Sequence, residues 1–110
     1  MAYDTDLADR IRLIIGTAGD ISEMKMFGGL AFLANGNMAI AASGQGGAMV
    51  RVDPEVSDSY LGPNVEVMEM RGRLMPGWLR VNGPELEDSL ETWVERGTTF
   101  ARSLPPKKKR

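Results

Sequence analysis

The 110-residue sequence contains neither cysteine nor histidine. Without thiols there are no disulfides, no thiolate nucleophile and no cysteine-ligated zinc; without imidazole there is no histidine general base and no histidine metal ligand. Most familiar hydrolase and metalloenzyme constellations go with them, and neither a cofactor nor a metal is expected. No apolar run approaches the ~20 residues that cross a bilayer. The opening Met1-Ala2-Tyr3-Asp4 puts an acid where a secretory signal carries a basic flank, so the expectation is a cytoplasmic chain with no membrane partner. Lysine is scarce as well: outside the last four residues Lys25 is the only one. Serine–lysine chemistry therefore hangs on Lys25 alone, and nothing places a serine beside it.

What is present fits one soluble domain, at 43% hydrophobic and 25% charged residues. Net charge is −2; the terminal Lys107, Lys108, Lys109 and Arg110 carry +4, which leaves −6 on residues 1–106. An acidic body repels nucleic acid, so any contact with it falls to a local basic patch or to the tail.

Asp4 is placed to cap a first helix whose Leu7, Ile11, Ile14 and Ile15 share one face, with Asp6 and Arg10 as an outward i, i+4 pair and Gly16 and Gly19 as the stop. From Ile21 to Val52, short apolar runs broken by Asn35-Gly36 and Gly44-Gln45-Gly46-Gly47 predict an antiparallel meander of three strands. A two-residue turn at Asn35-Gly36 sets Leu33 opposite Met38, Phe32 opposite Ala39 and Leu30 opposite Ala41. Both sheet faces are then apolar, and the pattern leaves open whether helices cover one side or both. Asp53-Pro54 reads as the start of a short helix carrying Val56, Tyr60 and Leu61. Strands at Val65–Met70 and Trp78–Asn82 follow, joined by a loop from Arg71 to Gly77. Pro84 opens a last helix with the stripe Leu86, Leu90, Trp93, Val94, Gly97, Ala101 and Leu104. A glycine inside that stripe implies close approach of helix and sheet. The expected fold is α+β in two layers, helices on an antiparallel five-stranded sheet in the order α-β-β-β-α-β-β-α, with 1–106 as the domain and 107–110 as a basic disordered tail.

Two segments invite a functional reading. In Lys25-Met26-Phe27-Gly28-Gly29, adjacent glycines within an apolar pattern mean a tight turn or a bulge, where another backbone or a ligand can come close. Arg51, Arg71, Arg73 and Arg80 gather in the second half of the sheet, and guanidinium geometry suits carboxylate or phosphate. Trp78 and Arg80 lie two apart on a strand and share a face, which makes Arg51, Arg71, Arg73, Trp78 and Arg80 a candidate patch for an anionic or peptide partner; the bland alternative pairs the arginines with Glu66 and Glu69. Glu87, Glu91 and Glu95 fall on one helix face beside Asp88 and read as a solvated row, since a straight row of carboxylates diverges from any cation. The tail Lys107, Lys108, Lys109 and Arg110 offers weak, salt-sensitive contact with nucleic acid, or simple solvation.

Together, Leu7 to Ile15, Lys25-Met26-Phe27-Gly28-Gly29, Asn35-Gly36-Asn37-Met38, Val50-Arg51-Val52, Arg71-Gly72-Arg73 to Gly77-Trp78, and Trp93 through Pro106 resemble the N-terminal domain of the TfoX/Sxy family of bacterial competence regulators. The resemblance implies the α+β domain just outlined and favours a bulge at Gly28-Gly29. It also implies a role in positive regulation of DNA-uptake genes, in cooperation with a cyclic-AMP receptor protein, and it brings no catalytic residues. The chain reads as a single-domain member of that family. The expected function is a non-enzymatic regulatory or interaction module that binds a protein partner or self-associates, possible as a homodimer. Weak nucleic-acid binding through tail and arginines is the alternative, and an enzyme on an anionic substrate the least favoured.

Overall fold

Asp4 starts the first helix as the spacing requires: its Oδ1 accepts the Leu7 N–H at 3.1 Å, and α1 runs Thr5–Ile15 with Leu7, Ala8 and Ile11 buried. Gly16, at φ +70°, ends it by donating to the Arg12 carbonyl. The computed structural model describes residues 4–16, 19–26, 28–44 and 46–106. After α1 come β1 (Ile21–Met26), β2 (Gly29–Ala34), β3 (Asn37–Ala42) and β4 (Ala48–Arg51), a single 3-10 turn (Ser57–Tyr60), β5 (Val65–Met70), β6 (Arg73–Val81) and α2 (Gly83–Ser103). The strands form one antiparallel sheet of six in the order β1-β2-β3-β4-β6-β5.

The α+β architecture with helices on an antiparallel sheet stands, but the strand count is six, not five. The difference arises at Gly28-Gly29. Met26 pairs with Gly29, so the chain reverses between them instead of bulging, and Gly28 supplies the positive φ of +77° that the reversal needs. Phe27 lies outside the described residues. A Cβ on Gly29 would run into the Ala42 carbonyl, so this reversal is packed against the β3–β4 connection: the glycine pair admits a neighbouring backbone.

The helix expected after Asp53 is also corrected. Asp53 accepts the Glu55 N–H on Oδ1 at 2.9 Å and the Val56 N–H on its carbonyl at 3.1 Å, which is a turn stabilised by an aspartate and not a helix cap. Only the 3-10 turn follows, and Val56 and Leu61 remain exposed. The segment Arg71–Gly77 is not a loop throughout: Arg71-Gly72 alone makes the turn, with φ of 55° and 79°, and β6 begins at Arg73.

At Asn35-Gly36 the turn holds as expected, with Leu33 opposite Met38 and Ala34 opposite Asn37. One residue further the register shifts. Phe32 faces Ile40, Ala31 faces Ala41 and Leu30 faces Ala42, which leaves Ala39 as an extra residue in β3. The bulge has a packing consequence. Met38 and Ile40, two apart, would otherwise share a face; instead Ile40 turns toward the helices with Phe32, and Met38 turns away with Leu33.

Both helices lie on one side of the sheet. Leu30, Phe32, Ile40, Val50, Leu79 and Val81 meet Leu7 and Ile11 of α1 and Leu86, Leu90, Trp93 and Val94 of α2 in the main core. Each of these large side chains, fully removed from water, stabilises by about 1.5–3 kcal/mol relative to exposure. Gly97 has the role its position implied, since a Cβ there would overlap the Ala39 carbonyl and crowd Val50. Ion pairs tie the helices to the β1 edge. Arg12 of α1 grips Glu23 at 2.7 Å, and Arg102 of α2 grips Asp20 at 2.7 Å. These guanidiniums hold both carboxyls below the usual carboxylate range. Arg10 pairs with Glu87 at 3.0 Å, not with Asp6.

Candidate functional site

Among the described residues no helix packs on the second face of the sheet. A smaller cluster sits there, with Ala31, Leu33, Met38 and Ala41 buried beneath the partly exposed Met49 and Trp78. Cross-strand partners share a face, so the register puts Met24 beside Ala31, Ala41, Met49, Arg80 and Glu66 in one row across the sheet. Met24 is half exposed.

On the central strands this face is a checkerboard. Met49 stands opposite Arg80, and Arg51 stands opposite Trp78. Leu79 and Val81 turn inward as alternation requires, so the expected juxtaposition of Trp78 and Arg80 holds. The Arg51 guanidinium carbon lies 5.2 Å from the centre of the Trp78 ring and 5.7 Å from that of Phe100 on α2, within cation–π range of both. Two aromatic rings hold the cation at the margin of the sheet, and no carboxylate or carbonyl among the described residues accepts from it. Arg80 donates to the Gly46 carbonyl at 3.3 Å.

The remaining members of the expected patch separate. Arg71 and Arg73 are exposed at the far end of the β5–β6 hairpin. Trp78 is five residue steps of strand beyond Arg73, roughly 16 Å. None of the ion pairs among the described residues joins these arginines to Glu66 or Glu69, so the bland pairing is not what holds them. Lys25 belongs elsewhere: it shares the face of Ile21 and Glu23 on the edge strand β1, the helix side of the sheet. The tail residues Lys107 to Arg110 lie outside the described residues.

Two features escaped the reading of the sequence. Phe100 meets Arg51 across 49 positions, a contact with no local signature. Arg96 stacks at 4.3 Å on Tyr60 and 4.6 Å on Trp93, whose indole N–H donates to Glu85 at 2.9 Å. The i, i+3 spacing of Trp93 and Arg96 is the one signal that pointed to it. On the opposite flank of α2 a groove of about 370 Å³ runs between the helices, lined by Ile14, Ile15, Glu91, Thr92, Val94, Glu95, Thr98 and Arg102. Glu91 and Glu95 thus edge a cleft, while Glu87 is engaged by Arg10. Among the described residues, no three acidic side chains converge closely enough to hold a metal ion, and no helix is long and apolar enough to cross a membrane.

The family model of the TfoX N-terminal domain matches residues 14–101, a span that holds the whole sheet and most of α2. The chain belongs to the TfoX N-terminal domain family. Comparison with curated proteins finds no match. As a TfoX N-terminal domain, the chain places the matched Val50-Arg51-Val52 and Gly77-Trp78 segments side by side on β4 and β6, where Arg51 and Trp78 meet. The matched Lys25–Gly29 segment serves the reversal between β1 and β2.

Proposed function

We propose that this TfoX N-terminal domain is a non-enzymatic interaction module in bacterial gene regulation, with a protein partner docking on the helix-free face of the sheet. The observation that carries the reading is Arg51. A guanidinium stacked between Trp78 and Phe100, beside Met49 and without an acceptor among the described residues, has the composition of an interface hot spot: aromatic, arginine and methionine together. Family membership supports the regulatory setting, and the competence role of the TfoX/Sxy regulators is the natural first context to test. The absence of cysteine and histidine supports binding over turnover.

Affinity capture from the native bacterium, run in parallel with wild-type protein and a Met49→Glu variant, tests the proposal. A protein retained by the wild type and lost from a folded Met49→Glu supports it; equal capture by both removes the face from the account. Nucleic-acid binding is the second reading, favoured by the exposed Arg71 and Arg73. It requires that deleting residues 107–110 lower affinity for DNA and flatten its salt dependence.

A further inference from the structure

Resting on the docking face just proposed, we infer that its occupant is an acidic, extended segment of a protein partner, with one carboxylate seated on Arg51 and an apolar side chain against Met49 and Trp78.

The contrast among arginines carries the argument. Arg10, Arg12 and Arg102, on the helix side, each meet a carboxylate of this chain, at 3.0, 2.7 and 2.7 Å. Among the described residues Arg51 meets only rings, as does Arg96, but Arg96 lies within the helix layer whereas Arg51 stands on the helix-free face. Its planar fork is held in place before any partner arrives, so little side-chain freedom is lost when a carboxylate takes it in two-pronged fashion.

The checkerboard sets the length scale. Met49 and Arg51 are two apart on β4, roughly 6.6 Å, and β6 lies about 4.8 Å away, so Arg51 and Arg80 sit on a diagonal of about 8 Å. An extended segment repeats its side chains on one face at about 6.6–7 Å, which lets acids at alternate positions address this diagonal. Arg80 contributes charge while keeping its bond to Gly46. Glu66 faces Arg80 from β5 and is the one carboxylate that the register puts in this row; it bounds the acidic partner on that side.

Charge complementarity selects the same occupant. Residues 1–106 carry −6, yet on this face the register sets Arg51 and Arg80 on neighbouring strands against the single carboxylate of Glu66. A positive patch on a negative body steers an acidic segment to one place and repels it elsewhere. A second copy of this chain is disfavoured on the same ground, because a two-fold interface sets a patch against itself, arginine toward arginine.

The test titrates three short blocked peptides into the isotope-labelled full chain: alternating glutamate and leucine, alternating glutamine and leucine, and alternating lysine and leucine. The inference expects the glutamate peptide to shift the Arg51, Trp78 indole and Met49 signals and to weaken with added salt. The glutamine peptide should bind at least about tenfold more weakly. Arg51→Ala should cost about tenfold in affinity for the glutamate peptide, and Arg51→Lys should restore little of it, since a lysine neither forks nor stacks flat. Thermal unfolding of both variants confirms that each is folded.

Equal binding of the glutamate and glutamine peptides at this face overturns the acidic occupant and leaves the docking face standing. So does the absence of shifts from all three at millimolar concentration, if Met49→Glu still loses the captured protein. Concentration-dependent light scattering abolished by Met49→Glu overturns it in favour of a second copy. Quenching of Trp78 by single-stranded DNA with a steeper salt dependence than the peptide overturns it in favour of nucleic acid. Unchanged capture by Met49→Glu removes the face itself.

Discussion

The two faces of one sheet are built from different materials. The helix-covered face is made of leucine, isoleucine, valine, alanine, phenylalanine and tryptophan, and among the described residues its main cluster contains no methionine. The other face carries Met38 and Met49 in its cluster and Met24 in the adjoining row. Branched side chains with few rotamers specify a single packing, whereas unbranched thioethers adapt to what touches them. Charge divides the same way. On the helix side, Arg12 and Arg102 are closed into ion pairs that pin α1 and α2 to the β1 edge, Arg10 joins α1 to α2, and Arg96 stacks within the helix layer on Tyr60 and Trp93; on the other side Arg51 is stacked on rings and meets no anion among the described residues. One face is finished within the chain, and the other is the face on which the proposed docking rests.

Substitutions on the finished face should cost most. Trp93→Ala empties the largest fully buried side chain, breaks its edge contact with Tyr60 and its bond to Glu85, and should lower stability by about 3–5 kcal/mol in denaturant unfolding. Gly97→Ala sharpens the point, because helix propensity alone favours alanine by about 1 kcal/mol. A loss of about 1–3 kcal/mol is expected instead, as α2 must lift off the Ala39 carbonyl. On the second face, Leu33→Ala should cost about 2 kcal/mol, the low end for a buried leucine, since no helix holds the cavity open. Arg51→Ala should change stability by less than about 1 kcal/mol while weakening partner binding about tenfold, a separation of stability from binding that no helix-face variant should show.

Acid tests the ion pairs of the finished face. Asp20 and Glu23 have folded-state pKa values below their unfolded ones, through Arg102 and Arg12 respectively. Their contribution is complete above the unfolded carboxylate range, about pH 4, and disappears as the pH falls through the lowered folded values. Unfolding midpoints should therefore drop below about pH 4, and Asp20→Asn should flatten that dependence. Both carboxylates are solvent-accessible, so the effect is the smallest of the set and shrinks with salt.

Much of the fold was legible because it rests on local chemistry. Asp4 caps, Asn35-Gly36 turns, the stripe on α2 buries, and Gly97 marks a close approach; each depends on residues within a few positions of one another. The misses share a cause. Turn and bulge at Gly28 use the same residue and the same positive φ, so only the pairing of Met26 with Gly29 distinguishes them. The extra residue at Ala39 has no glycine or proline to announce it and follows from a tertiary demand, that Ile40 reach the helices. Asp53-Pro54 is shared vocabulary for turns and helix starts. At the site, alternation placed Trp78 with Arg80, but Phe100 reaches Arg51 only once α2 is docked on the sheet.

Methionine placement offers the most direct measurement. With methyl-labelled methionine and isoleucine and the captured partner added, the account predicts shifts at Met24 and Met49 while Ile11 and Ile40, sealed beneath the helices, stay still. Shifts confined to Ile14 and Ile15 at the interhelical groove, with Met24 and Met49 unmoved, would place the partner on the wrong side of the sheet and contradict it.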